Sequence, residues 1–164
     1  MTKVEFVYTT YIKSTQQKVW DALTTPEFTR QYWGCELTSD WKKGSSWHSV
    51  RNADGQTNMI GKVLESSPID ELSFSWHLPD SNQESDQSRV TYKLETIADT
   101  VKLMVIHDKL ESGSTMATNI SQGWPLVLSS LKSFLETGTA LDVWSLKPCI
   151  AASTQTKQEK VGAK

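Results

Sequence analysis

Long apolar runs are missing from this sequence, and so are the short motifs that mark many enzymes. The longest hydrophobic segments, such as LMVI at 103–106 and WPLVL at 124–128, are far shorter than the roughly 20 residues of a membrane-spanning helix. No Walker loop, Gly-x-Gly-x-x-Gly or Gly-x-Ser-x-Gly pattern occurs. We therefore expect no membrane span and none of the sites that these motifs build.

Cysteine is scarce, and neither sign of charge dominates. Cys35 and Cys149 lie far apart without a Cys-x-x-Cys spacing, which is typical of free thiols in a reducing compartment. The first residues alternate like a strand and lack a signal-peptide pattern, so we expect a cytoplasmic protein. The net charge of −2 argues against nucleic-acid binding. No ligand spacing for a metal is present, and we expect neither metal nor cofactor.

Tryptophan, by contrast, is abundant, with seven in 164 residues. A chain of this length forms one domain with a sizeable core, and each indole ring must be packed or used. The segment KVWDALTTPEFTRQYWG, residues 18–34, holds two of the tryptophans together with a tyrosine and a phenylalanine. Its aromatic rings either cover a hydrophobic cavity or fill a core, and the segment alone does not decide between these.

Two short helices are predicted early in the chain. The spacing of Ser14 and Gln17 is that of a capping box and predicts a helix from Thr15. Pro26 suits the first position of a second helix, which Gly34 would end.

A longer helix is predicted over SQGWPLVLSSLKSFLETG, residues 121–138. Ser121 would be its N-cap, Pro125 would lie in its first turn, and Gly138 would terminate it. One apolar stripe recurs at helical spacing, formed by Trp124, Val127, Leu128, Leu131, Phe134 and Leu135.

The remainder of the chain up to Asp108 has the pattern of strands. Apolar residues alternate over 4–12, 72–78, 90–94 and 101–107, and Asp54-Gly55 is a hairpin signal. This predicts one antiparallel sheet with a single buried face. Its wetter face would carry Arg89, Thr91, Lys93, Glu95 and Lys102.

Four phrases in this order carry a family resemblance. They are KVWDALTTPEFTRQYWG, GKVLESSPIDELSFSW, VKLMVIHDKL and SQGWPLVLSSLKSFLETG, and the resemblance covers roughly residues 4 to 138. The chain resembles the START-like (SRPBCC) superfamily and, within it, homologues of the activator of the heat-shock protein 90 ATPase. The resemblance implies an α+β helix-grip fold, in which a curved antiparallel sheet wraps around a long C-terminal helix and two short helices follow the first strand.

The resemblance also implies a function. Members of the superfamily bind lipids, sterols, polyketides or plant-type aromatic compounds between sheet and helix. We therefore expect non-catalytic binding of a small hydrophobic molecule, such as a lipid, a polyketide or a flavonoid-like compound. One alternative is a protein-interaction module, chaperone-related and active in stress response, or a self-associating one. A second alternative is an enzyme similar to the polyketide cyclases.

A ligand pocket can be assigned to the inward positions of these elements. Such residues either line a pocket with a few orienting polar groups or form ordinary close-packed core. The candidate pocket residues are Trp33, Trp47, Met59, Phe74, Trp76, Tyr92, Val105, His107, Trp124 and Leu128.

His107 is the only inward candidate for catalysis. It alternates with core residues, so it would either serve a ligand as hydrogen-bond partner or base, or be satisfied by a neighbouring group. Asp108 follows it directly and would point to the opposite face of the strand, so the two do not form a dyad. We therefore assign no catalytic residue.

The last 26 residues, 139–164, form an extension beyond the 1–138 domain. Their first part, TALDVWSLKPCIAA, still carries apolar side chains, which either fold back on the domain or dock on a partner or second copy. The final STQTKQEKVGAK is polar, and we expect it to be disordered.

Overall fold

A computed structural model describes residues 2–81 and 87–146 of the chain. Cys149 and the polar stretch expected to be disordered lie outside the described residues. The elements follow the order β1 (Lys3–Ile12), α1 (Gln16–Thr24), α2 (Pro26–Tyr32), β2 (Cys35–Thr38), β3 (Ser46–Arg51), β4 (Thr57–Ser67), β5 (Glu71–Trp76), β6 (Ser88–Ile97), β7 (Thr100–Glu111) and α3 (Thr115–Thr137).

All seven strands form one antiparallel sheet in the order β1-β7-β6-β5-β4-β3-β2. Alternation along β7 explains its orientation, because Val101, Leu103, Val105 and His107 are fully buried while the residues between them are only half-buried. The long helix α3 covers the buried face, and α1 and α2 follow β1. The predicted α+β helix-grip architecture is confirmed.

Polar side chains occupy the outer face, as alternation predicts. Arg89 on β6 pairs with Asp108 on β7, with the Arg89 Nε atom 2.9 Å from Asp108 Oδ1. The carboxylate of Asp108 raises the pKa of the Arg89 guanidinium. In the part of the chain that the structure covers, no helix is long and apolar enough to cross a membrane.

Both predicted helix caps at Ser14 and Ser121 are wrong. The N-cap of α1 is Thr15, whose side chain accepts a hydrogen bond from the Lys18 N–H. Helix α3 begins at Thr115, and its N-cap Ser114 accepts from the Ala117 N–H at 3.0 Å. The predicted start was too late because Pro125 was assigned to the first turn of the helix. In the structure Pro125 lies inside the packed helix.

The predicted end of α3 is confirmed, whereas the predicted end of β5 is wrong. Gly138 ends α3 with a positive φ of 83°, as predicted. The alternating run 72–78 stops earlier than predicted, because β5 ends at Trp76 and Leu78 is half exposed.

Candidate functional site

A cavity of about 480 Å³ lies between the N-terminal half of α3 and the strands around β4 and β5. Four of the seven tryptophans belong to its wall, each from a different part of the chain. The lining residues are Trp33, Cys35, Ser49, Asn58, Met59, Trp76, Leu78, Thr115, Met116, Asn119, Ile120, Gln122, Gly123, Trp124, Leu126, Val127 and Trp144.

The lining is uncharged. Among the described residues that form it there is no Asp, Glu, Lys, Arg or His, and the polar groups are hydroxyls, amides and one thiol. Exposed Thr115 and Asn119 place its mouth beside the first two turns of α3. An unpaired charge would lose its hydration inside such walls, so the cavity favours uncharged guests.

Three indole rings meet at the inner wall. Trp33, just after α2, stacks on Trp76 of β5 with ring centroids 6.2 Å apart and an angle of 19°. Trp124 of α3 meets Trp33 edge-on at 5.3 Å. These are geometries that aromatic pairs prefer, and large rings with few torsions form a rigid wall.

Trp76 also carries an unused hydrogen-bond donor. Its side chain is only 7% exposed, and its indole Nε1 has no hydrogen-bond partner among the described residues. A buried donor without an acceptor costs about 1–3 kcal/mol. A guest with a carbonyl, ether or hydroxyl oxygen near this atom would remove that cost.

His107 lies behind the cavity wall, held by two side chains. Trp124 Nε1 donates to His107 Nδ1 at 3.0 Å, and His107 Nε2 is 2.7 Å from the Ser88 hydroxyl. That hydroxyl donates in turn to the Trp76 carbonyl at 3.0 Å. Burial lowers the pKa of His107 to about 3, against a smaller opposing effect of Asp108. The ring is therefore neutral at physiological pH.

Residues 13–136, which build most of this site, match the family described as Activator of Hsp90 ATPase homolog 1-like protein. The chain belongs to this family. No curated protein matches the chain. The resemblance to the START-like superfamily is confirmed by this family match together with the fold.

Solved structures show the same fold. The solution structure of the Aha1 dimer from Colwellia psychrerythraea is 23% identical, covers 82% of this chain and 98% of its own, and has a TM-score of 0.70. ChR145 from Cytophaga hutchinsonii is 25% identical over 82% of this chain and 95% of its own, with a TM-score of 0.68. CalU16 from Micromonospora echinospora is 21% identical over 82% and 77%, with a TM-score of 0.65.

Within this Activator of Hsp90 ATPase homolog 1-like domain, the ten residues predicted for the pocket separate into two groups. Trp33, Met59, Trp76 and Trp124 line the cavity. The structure places the other six in the core and outside the cavity lining; they are Trp47, Phe74, Tyr92, Val105, His107 and Leu128. Alternation along each strand predicted which side chains face the helix, but it did not predict how deeply each of them is packed.

Trp47 illustrates the difference. Its side chain is 1% exposed, and its Nε1 donates to the Ser75 carbonyl at 2.7 Å. A Cβ at Gly61 would lie 1.9 Å from that same carbonyl oxygen and 2.4 Å from the indole nitrogen. Glycine on β4 therefore lets Trp47 pack against β5, so this ring fills the core.

Sequence reasoning missed the first turns of α3 and the segment after it. Met116, Asn119 and Ile120 were overlooked because the helix was expected to begin at Ser121. Ser114 followed by the helical spacing of Met116 and Ile120 is the signal that could have found them. Trp144 was assigned to a separate extension, and nothing in its neighbouring residues indicates that it reaches the cavity.

Proposed function

We propose that this protein binds a small, uncharged, aromatic or hydrophobic molecule between its sheet and α3, without catalysis. The observation that carries the proposal is a tryptophan-walled cavity whose described lining residues carry no charge, in a chain whose family and fold suit a ligand-binding or interaction module. Its volume of about 480 Å³ lies within the usual range of small-molecule sites.

The wall defines the chemistry of the guest. The rings of Trp33, Trp76 and Trp124 favour a planar aromatic body, because offset and edge-on contacts between rings stabilise such pairs. The unpartnered Trp76 N–H favours an oxygen acceptor on that body. Neutral flavonoid-like and polyketide-like compounds combine both features.

The state of His107 supports binding without acid–base catalysis. The acceptor nitrogen of a neutral imidazole is the atom that could remove a proton, and here it is occupied by the Trp124 N–H. A cyclase-like activity would require that bond to break. It stays an alternative, as do a chaperone-related role and self-association, which the dimer of the Colwellia relative supports.

A matched pair of fluorescent probes tests the proposal. N-phenyl-1-naphthylamine is neutral and aromatic, and 8-anilinonaphthalene-1-sulfonate adds one sulfonate to the same framework. We expect saturable binding of the neutral probe with a rise in melting temperature, because a guest that selects the folded state stabilises it. We expect the sulfonate to bind at least about tenfold more weakly, a difference of 1.4 kcal/mol.

A variant that fills the cavity locates the binding. Met116→Trp places a large ring in the lining and should abolish binding of the neutral probe, while the outer-face variant Met104→Trp should leave binding unchanged. Equal loss in both variants, or no binding of the neutral probe to the native protein, would contradict the proposed function.

A further inference from the structure

The segment 139–146 lies beyond the family match, which ends at residue 136, yet it completes the cavity. Residues 143–146 form a single helical turn. Val143 is 2% exposed within the main core, and Trp144 joins the cavity wall. The extension thus supplies a side chain to a site that the family domain otherwise builds.

One buried serine fastens this segment to the domain. Ser130 of α3 is fully buried, and its hydroxyl donates to the Tyr32 carbonyl at the end of α2 at 2.7 Å. The same oxygen accepts the Leu141 N–H at 3.1 Å. A single hydroxyl therefore joins α2, α3 and the extension.

The Trp144 ring packs against Gly34, which has no side chain to exclude it. A Cβ at this position would lie 1.9 Å from Trp144 Nε1 and 2.1 Å from Cδ1. No side chain fits there, so the indole packs directly on the backbone between α2 and β2. The ring position is therefore fixed from one side by backbone and from the other by the hydrogen-bonded segment.

Trp144 stands between two spaces. A second cavity of about 670 Å³, which is shallow and open to solvent, lies against α2, the β3–β4 turn and the end of α3, where Arg30, Asn52 and Phe134 contribute to its lining. Of the residues that the structure describes, Trp144 is the one that lines both cavities. Its indole ring is therefore placed to act as a partition between them.

We propose that Trp144 determines the length of the guest, by closing the tryptophan-walled cavity against the second one. The proposal rests on the proposed binding function and assigns its size selectivity to a residue outside the matched family domain. Guests that fit the first cavity bind the native protein tightly, and a guest longer by one ring binds more weakly because it contacts the indole. Removing the ring joins the two cavities and admits the longer guest.

Displacement of N-phenyl-1-naphthylamine by two neutral guests tests this. The guests are trans-chalcone and 4-phenylchalcone, which differ by one phenyl ring, and the quantity measured is the ratio of their Kd values. We expect Trp144→Ala to shift this ratio toward 4-phenylchalcone by about tenfold or more, the scale on which a pocket discriminates guests by size. Leu146→Ala, an exposed neighbour that lines neither cavity, should leave the ratio unchanged.

Trp144→Phe is the second variant and should shift the ratio in the same direction by a smaller factor, since a phenyl ring is smaller than indole. It decides the question if Trp144→Ala does not fold, as judged by circular dichroism. An unchanged ratio with both guests still bound would overturn the partition and leave the proposed function standing. If the native protein binds neither the probe nor either chalcone, both proposals fail.

Discussion

At the scale of single residues, the hydrogen bonds of His107 determine which of its ring nitrogens carries the proton. An indole N–H can only donate, so the His107 Nδ1 that faces Trp124 must be an acceptor. The proton of the neutral ring then lies on Nε2 and is donated to Ser88. Three buried groups are thereby satisfied at once, and Trp124 is held in the orientation that forms the cavity wall.

This arrangement makes folding stability depend on pH. The pKa of His107 is about 3 in the folded protein, against 6.5 for an ordinary histidine, so below pH 6.5 the unfolded chain binds a proton that the folded one does not. The contribution of His107 to stability is therefore complete above about pH 6.5 and is lost toward pH 3, at up to about 1.4 kcal/mol per pH unit.

Urea unfolding at several pH values between 7 and 4.5 measures this slope. We expect His107→Gln to flatten the fall in the free energy of unfolding, because it removes the titrating group. His48→Gln, at an exposed position on β3, is the matched control and should keep the native slope. Identical slopes for the native protein and His107→Gln would contradict the assigned state of the ring.

At the scale of elements, the start of α3 decides where the cavity has its mouth. A helix beginning at Ser121 would leave Thr115, Met116 and Asn119 out of the wall, whereas the observed start places all three in it. The local preference of proline for a first turn is a weak signal. Burial of Ile120 and capping by Ser114 outweigh it.

Two serine substitutions distinguish these starts. Ser114→Ala removes the N-cap acceptor of the Ala117 N–H and should lower the free energy of unfolding by about 1 kcal/mol. Ser121→Ala lies inside the observed helix, where alanine is the better helix former, and should be neutral or slightly stabilising. Chemical denaturation of the two variants checks the prediction, and the reverse order would place the helix start at Ser121.

At the scale of the whole molecule, the core extends past the matched family domain. Val143 is as buried as Trp124, although it follows the end of α3 in an extension that was expected either to fold back on the domain or to dock on a partner or second copy. The segment 139–146 folds back onto α2 and α3 through Ser130, so Val143 joins the same core and Ala140 and Trp144 pack against it.

Val143→Ala should therefore destabilise the protein. The substitution removes two buried methyl groups and leaves a cavity, which together cost about 2 kcal/mol of the free energy of unfolding. Leu146→Ala, in the same helical turn but 39% exposed, should change the free energy of unfolding by less than about 0.5 kcal/mol. Thermal or urea unfolding compares the two, and equal small effects would show that the segment adds no stability.

Periodicity explains how much of the fold could be predicted. Strict alternation fixed the face of β7 on which Val105 and His107 lie, and helical spacing fixed the stripe of α3 that contains Trp124. The site was harder to predict, because Phe74 and Trp76 point to the same face of β5 and alternation does not distinguish them. Trp76 lines the cavity, whereas Phe74 is fully buried. Depth depends on which partner side chains cover each position.

The sequence by itself determined the α+β order, the buried sheet face, the end of α3 at Gly138 and the family. The first three depend on local periodicity and on backbone conformations that only certain residues adopt, and the family depends on a resemblance carried by four phrases of the chain. Only the tertiary structure decided that a cavity remains, that Trp76 lines it with an N–H that has no partner among the described residues, and that Trp144 joins its wall with the indole packed on Gly34. Those features arise from contacts between residues distant in the chain, whose positions no local pattern specifies.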